Sequence, residues 1–363
     1  MKIIQVIPQF GLAGAETMCE NLTYELRKSG HDVTVISMYD YHSPITDRME
    51  NAGVDVRYLN KKHGVDFSMI HQLKRIFHEV HADVVHTHLG CPKYAIPAAM
   101  MAGVKHRVHT VHNIAQKESG PAARKLNKFL FKHCGTIPVA LTEKVRDTIV
   151  AEYKMNPLDI PVIFNGIPLT KCLRKNDYHI DQNRIQLLHI GRFSPAKNHV
   201  EMINAVCELH RKYPGLYLKL IGDGELKEQI VAHIHACGAE DFVELFGLTD
   251  NVYPHLKQAD IFILPSTYEG MPMTLIEAMG SGIPIVAGNV GGIPDMITDG
   301  IEGLLCEPTA DSITHKIDIL IGDEALRKSC AENALLAAQR FSSESMAKKY
   351  LKIYSGEKYD IQC

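Results

Sequence analysis

Seven residues separate Glu269 from Glu277, in the stretch Glu269-Gly270-Met271-Pro272-Met273-Thr274-Leu275-Ile276-Glu277. Ionised carboxylates accept hydrogen bonds only, which is the chemistry that holds hydroxyl groups. An apolar run over 259–265 precedes the segment and reads as a buried strand. Pro272 suits the first turn of a helix, where a missing N–H costs nothing. Glu269 is then expected in the loop before that helix and Glu277 inside it. The N–H groups of Met273, Thr274 and Leu275 would lack partners within the helix and point outward, as an anion site does. One segment therefore offers two hydroxyl acceptors and a phosphate cradle.

A second constellation is Gly191-Arg192-Phe193-Ser194-Pro195-Ala196-Lys197-Asn198, which follows another strand pattern. Arg192 and Lys197 bracket a turn and together can neutralise a diphosphate. An Arg and a Lys in a loop are by themselves an ordinary solvated pair, and the strand-turn-helix context favours the anion site. The chain has no Asp-x-Asp to hold Mg²⁺ or Mn²⁺, and two cations can stabilise the same developing charge. The loop Phe10-Gly11-Leu12-Ala13-Gly14-Ala15-Glu16 has small residues that let backbone N–H groups approach an anion. It is not G-x-G-x-x-G, so a nicotinamide dinucleotide fits poorly, and a plain tight turn is the alternative. His109-Thr110-Val111-His112-Asn113 ends a strand pattern, with His112 at the exit and His109 read as core. His86 and His88 end a further strand. Gly222-Asp223-Gly224 and Val290-Gly291-Gly292-Ile293-Pro294 read as structural turns.

The glutamate segment runs on into Ala278-Met279-Gly280-Ser281-Gly282-Ile283-Pro284-Ile285-Val286-Ala287. Together they resemble the E-x7-E signature of the retaining glycosyltransferases of family 4, which have the GT-B fold. The resemblance covers nearly the whole chain, the second half more specifically. It implies a sugar transferred from a nucleotide diphosphate sugar, UDP ahead of GDP, to a glycan or lipid-linked acceptor, as in bacterial surface-polysaccharide synthesis. It implies that Glu269 orients sugar hydroxyls, Glu277 holds the ribose, and Arg192 with Lys197 stabilises the diphosphate. Met271, Met273, Thr274 and Leu275 would line the donor, Phe246 and Leu248 would frame the base through backbone groups, and Gly14 would lie at the cleft. His112 would touch the donor sugar, with His86, His88 and His112 as acceptor contacts. No cofactor or metal is implied. Same-face substitution is expected, with the departing phosphate oxygen helping to take the acceptor proton. A nucleotide-sugar epimerase on the same fold would need acid/base carboxylates around the sugar and no acceptor site. A catalytically idle binding subunit stays open. A glucan phosphorylase is disfavoured, for want of a pyridoxal-phosphate lysine motif.

The elements that must position these residues alternate along the chain. Strand patterns fall at 3–7, 33–37, 54–59, 83–88, 107–111 and 136–140, with helical patterns such as 16–28 and 67–80 between them. A polar stretch over 171–184 reads as a linker. A second series follows, at 185–190, 216–221, 242–246, 261–264, 284–287 and 303–306. This predicts two doubly wound Rossmann-like α/β domains, 1–168 and 169–340, with a ligand cleft between them. The resemblance implies that a last helix, 341–356, packs back on the first domain.

Composition narrows the partners. Lys and Arg number 39 against 42 Asp and Glu, which argues against nucleic acid. Nine scattered Cys without C-x-x-C suit a reducing cytoplasm rather than a disulfide frame or a zinc site. The 20 His show no ligand spacing and read mostly as surface and core residues. No apolar run approaches the ~18 residues of a membrane span. The segment Pro121–His133 interleaves Arg124, Lys125, Lys128 and Lys132 with Leu126, Phe129, Leu130 and Phe131. Such a basic amphipathic helix either packs on its own sheet or rests peripherally on the inner face of a membrane.

Overall fold

The computed structural model describes residues 1–11 and 13–357. It divides into two compact units, Met1–Ile167 with the chain from Ser342, and Pro168–Phe341. The first unit holds β1 (Lys2–Ile7), β2 (Asp32–Ser37), β3 (Asp55–Tyr58), β4 (Val84–His88), β5 (His106–Val111) and β6 (Thr136–Ala140), all parallel, in the order β3-β2-β1-β4-β5-β6. The second holds β7 (Ile185–Ile190), β8 (Leu216–Ile221), β9 (Val243–Gly247), β10 (Ile261–Leu264), β11 (Ile285–Gly288) and β12 (Leu304–Cys306), in the order β12-β11-β10-β7-β8-β9. All twelve strands lie within one residue of the bounds expected from the sequence.

Their composition explains this. Helices cover both faces of a parallel sheet, so its strands read as near-continuous apolar runs. β4 and β7 are buried at every position. In the first unit Ile4, Val6 and Val85 pack with Leu73 and Phe77; in the second, Leu187, Leu218 and Ile263 pack with Val206 and Ile317. Each sheet reverses its strand order once, between β1 and β4 and between β7 and β10. Loops diverge at such a point and leave a crevice at the carboxyl ends of the strands. The Gly191–Asn198 and Pro265–Pro272 loops leave β7 and β10, on either side of the second reversal.

The helix Ser343–Tyr354 belongs to the first unit. Ser342 caps it, and its Ser343 hydroxyl donates to Glu25 at 3.0 Å. Two tyrosines lock it onto the sheet. The Tyr350 hydroxyl lies 2.7 Å from Thr110 Oγ1, and the Tyr354 hydroxyl lies 2.6 Å from His86 Nδ1.

Candidate active site

In the second unit, the loops after β7 and β10 bring Lys197 and Glu269 together. The Lys197 ammonium donates to Glu269 Oε1 at 2.6 Å, and the Ser266 hydroxyl donates to the same oxygen at 2.8 Å. The two side chains are 15% and 13% exposed, so the pair is held firmly yet still reachable. A glycine turn fixes the glutamate from behind. Gly291 has φ +54°, and a Cβ there would lie 1.9 Å from the Glu269 carbonyl oxygen. Only glycine allows that approach.

The helix Met273–Ser281 starts one residue later than Pro272 would suggest. Pro272 is its extended N-cap, at φ −73°, ψ 122°. The Leu275 N–H donates to the Pro272 carbonyl at 3.2 Å, so the expectation of three free amides is corrected to two. Those of Met273 and Thr274 meet no acceptor among the described residues. Thr274 Oγ1 is also buried without a partner. Two free amides and a hydroxyl at a helix N-terminus form an anion cradle. The side chains of Met271 and Met273 are buried, so these residues can offer a ligand backbone only.

Glu277 lies three residues beyond Thr274, on the same helical face. Burial pushes its carboxyl up to about 8, against a smaller opposing pull from Lys171. It is therefore protonated at neutral pH, able to donate one hydrogen bond and accept others. Lys171 and Cys172, which the sequence reading placed in a linker, turn out to be its neighbours; burial and Glu277 push the Cys172 thiol up to about 12.

Arg192 stands apart from this group. It is 69% exposed and pairs with Glu225 at 3.0 Å. Such surface pairs are worth ~0–1 kcal/mol, so the guanidinium can change partner at little cost. Phe246 near the end of β9 and Leu248 just beyond it are exposed. The Phe246 ring lies against His255, with the Lys219 ammonium 4.8 Å from its centroid. Asp223 is structural, as expected: its carbonyl accepts from the Phe193 N–H at 2.9 Å, and its carboxylate accepts from Lys227 at 3.0 Å.

In the first unit, Gly14 opens the helix Gly14–Lys28 at an exposed terminus without a side-chain cap. Leu12 of the same loop lies outside the described residues. His112 leaves β5 partly exposed, and its Nε2 is 3.0 Å from His88 Nδ1. His88 Nε2 in turn is 3.1 Å from Gln5 Oε1. The Gln5 amide nitrogen faces the Cys19 carbonyl at 3.2 Å, which fixes the Gln5 oxygen toward His88. Hydrogen-bond bookkeeping then assigns the protons. His88 carries its proton on Nε2, His112 donates from Nε2, and His112 Nδ1 keeps a lone pair with no partner among the described residues. Burial holds the His112 imidazole down to about 3 and His88 well below its ordinary range, so both rings are neutral.

The acceptor role expected for His86 and His88 is corrected here. Both are fully buried, and both have each ring nitrogen occupied. Residues 86 and 88 point to one face of β4. On that face His86 packs against Tyr350 and Tyr354 of the returning helix. His88 supports the His112 ring instead. Glu118 is a site residue with no mark in the sequence: its buried carboxyl accepts from the His112 N–H at 3.1 Å. A glutamate in a polar turn carries no signal that it points inward.

Two doubly wound units, the second with a helix start of free amides that follows a Lys–Glu pair, form the architecture of the GT-B transferases. The family model described as Glycosyltransferase Family 4 matches residues 12–171, and that described as Glycosyl transferases group 1 matches residues 173–336. The chain belongs to the GT-B glycosyltransferases of the family 4 type. It is 25% identical to an uncharacterized glycosyltransferase of Methanocaldococcus jannaschii, over 98% of both chains. It is 28% identical to the UDP-Gal:alpha-D-GlcNAc-diphosphoundecaprenol alpha-1,3-galactosyltransferase of Escherichia coli, over 67% of each. Among solved structures, Anabaena HepE in complex with UDP and glucose superposes with a TM-score of 0.86 at 20% identity, over 98% of this chain and 100% of that one.

Proposed function

We propose that this protein is a retaining, metal-independent glycosyltransferase. It takes a sugar from a nucleoside diphosphate, UDP ahead of GDP, and passes it to a glycan or lipid-linked saccharide in bacterial surface-polysaccharide synthesis. The observation that carries this reading is the Lys197–Glu269 pair at the β7/β10 reversal, beside the free amides of Met273 and Thr274. A diphosphate docked on those amides meets Lys197 at the point where charge develops as the sugar leaves. Glu269 then turns its acceptor oxygens to the sugar hydroxyls, and Glu277 takes the ribose. Arg192 moves from Glu225 to the diphosphate. Departure with retention needs no protein nucleophile when the leaving phosphate oxygen accepts the incoming proton on the same face. His112 offers a neutral acceptor nitrogen to the transferred sugar.

The Escherichia coli relative acts on a UDP-sugar and a diphosphoundecaprenol-linked sugar, which supports the choice of donor and acceptor class. A lipid-linked acceptor also suits the helix Pro121–His133. It buries Asn127, Leu130 and Phe131 and leaves Leu126 and Phe129 exposed among its lysines. No helix among the described residues is long and apolar enough to cross a membrane. Transfer from radiolabelled UDP-, GDP- and ADP-sugars to a polyprenyl-diphosphate saccharide tests the reading. Glycosylated product from a UDP-sugar is expected. Epimerised donor without transfer, or binding without turnover, would support the epimerase or the idle subunit instead.

A further inference from the structure

Glu118 and His109 form a buried couple that the proposed reaction does not use. Glu118 ends the short helix Ala115–Glu118, and its side chain is 3% exposed; that of His109 on β5 is 0% exposed. Glu118 Oε2 accepts from the backbone N–H of His112 at 3.1 Å and also from that of Asn113. Glu118 Oε1 faces His109 Nε2 at 4.0 Å, and neither atom has a hydrogen bond.

The proton on His109 can be located. Nδ1 is 3.0 Å from both the carbonyl oxygen and the hydroxyl of Thr87. That hydroxyl already donates to the Val108 carbonyl at 3.1 Å. Both Thr87 atoms can only accept, so His109 carries its proton on Nδ1. In the neutral ring Nε2 is then a bare lone pair. A carboxylate opposite it has only lone pairs too. Two acceptors facing each other in a buried site repel and stay desolvated, which is costly. One proton between them removes the conflict.

We propose that Glu118 is a positioning residue for His112, acting as a one-proton couple with His109 that clamps the turn leaving β5. With the proton in place, Glu118 Oε1–H faces the His109 Nε2 lone pair and a small approach across the 4.0 Å gap closes a hydrogen bond, while Oε2 holds the two amides that set where His112 sits. When the proton is lost to solvent, a buried anion faces the imidazole lone pair and the clamp is strained. Burial acts in the same direction, pushing the Glu118 carboxyl up to about 7 and the His109 imidazole down to about 4. The other titratable groups around the couple are His86, His88 and His112, Tyr153 on the helix Glu143–Tyr153, and Arg124, which is paired with Glu152. None of them hydrogen-bonds to Glu118 Oε1 or His109 Nε2.

The role in catalysis rests on the proposed function, so the test has one readout that does not. Imidazole NMR of the full-length protein should show His109 as the Nδ1–H tautomer, with a titration near pH 7. In Glu118→Gln, whose amide donates permanently to Nε2 and whose oxygen keeps both backbone bonds, that titration should vanish. For turnover, wild-type kcat should fall above about pH 7. Glu118→Ala should lose on the order of tenfold in kcat, with nucleotide diphosphate affinity unchanged. Glu118→Gln should recover most of that loss and flatten the alkaline limb. A titration that persists in Glu118→Gln, or a Gln variant as impaired as the Ala variant, overturns the proposal. If Glu118→Ala does not fold, the Gln variant and the NMR titration still decide. Full activity of His112→Ala would instead remove the role proposed for His112, leaving the couple itself to the NMR result.

Discussion

Replacing Glu277 by Gln should make the free protein more stable and its nucleotide binding worse. The folded carboxyl titrates at about 8 rather than 4.5 because burial disfavours the anion. A carboxyl with a raised folded pKa binds its proton more tightly in the folded chain than in the unfolded one. Its contribution to stability is therefore complete below about pH 4.5 and is lost as the pH rises to about 8. At pH 7 the unfolded group has been ionised over about 2.5 pH units in which the folded one keeps its proton, a loss of ~3 kcal/mol at most. Glutamine has nothing to ionise and removes that loss. For a unit the size of Pro168–Phe341, ~3 kcal/mol raises the midpoint by roughly 6–12 °C. Differential scanning calorimetry of both proteins across pH 4.5–9 gives the difference directly. It should be near zero at the acid end, grow towards pH 7 and level off above 8. Titration calorimetry with UDP should show about tenfold weaker binding to the variant, as expected when an amide replaces the neutral carboxyl that hydrogen-bonds the ribose. A variant less stable than wild type at pH 7, or a stability gain independent of pH, would show that burial does not hold the proton on Glu277.

The two halves of the Lys197–Glu269 pair should separate kinetically. Glu269→Gln should lower kcat by on the order of 10²-fold with UDP affinity within about twofold, whereas Lys197→Met should lower both kcat and UDP affinity; calorimetry and initial rates on each variant decide, and loss of UDP affinity in Glu269→Gln would reverse the assignment. Transfer should survive EDTA, since Lys197 and Arg192 carry the charge that a metal would otherwise carry, and a complete loss restored by Mn²⁺ would show that they do not. Co-sedimentation with phosphatidylglycerol vesicles should weaken with salt, with Lys125/Lys128/Lys132→Glu and with Phe129→Ser; equal sedimentation of all forms would leave the exposed face of Pro121–His133 without a membrane role.

Strand positions were legible because the inner strands of a parallel sheet are buried on both faces and demand apolar runs, as in Lys2–Ile7 and Ile185–Ile190, while edge strands such as Asp55–Tyr58 and Val243–Gly247 keep apolar residues at alternate positions. The loops around Lys197 and Glu269 were legible as chemistry because charged residues at strand ends, next to a Pro and small residues, have no packing reason to be there. What stayed hidden depends on distant chain. The alternation of β4 tells which face His86 and His88 share, but not that Tyr350 and Tyr354 cover it. Nor does it tell that His88 leans on Gln5 of β1. Glu118 and His109 look unrelated until the turn after Val111 folds one onto the other. Leu275 differs for a local reason: a Pro N-cap tightens the first turn into an i→i+3 bond, which uses an amide that ideal helix geometry would leave free.

The return of Ser343–Tyr354 to the first sheet has a consequence for how the molecule is made. The hydrogen bond between Tyr354 and His86 closes a loop of 268 residues, and the whole of Pro168–Phe341 lies inside that loop. On the ribosome, the second unit is a contiguous stretch that can finish folding as soon as it emerges. The first unit begins earlier and ends later. Its sheet face at β4 and β5, with His86 and Thr110, stays uncovered through the synthesis of the other unit, a period of about ten to forty seconds at ordinary elongation rates. A chain arrested shortly before residue 343 would therefore carry one complete unit and one with an open polar and aromatic seam, the species that chaperones and proteases would meet first.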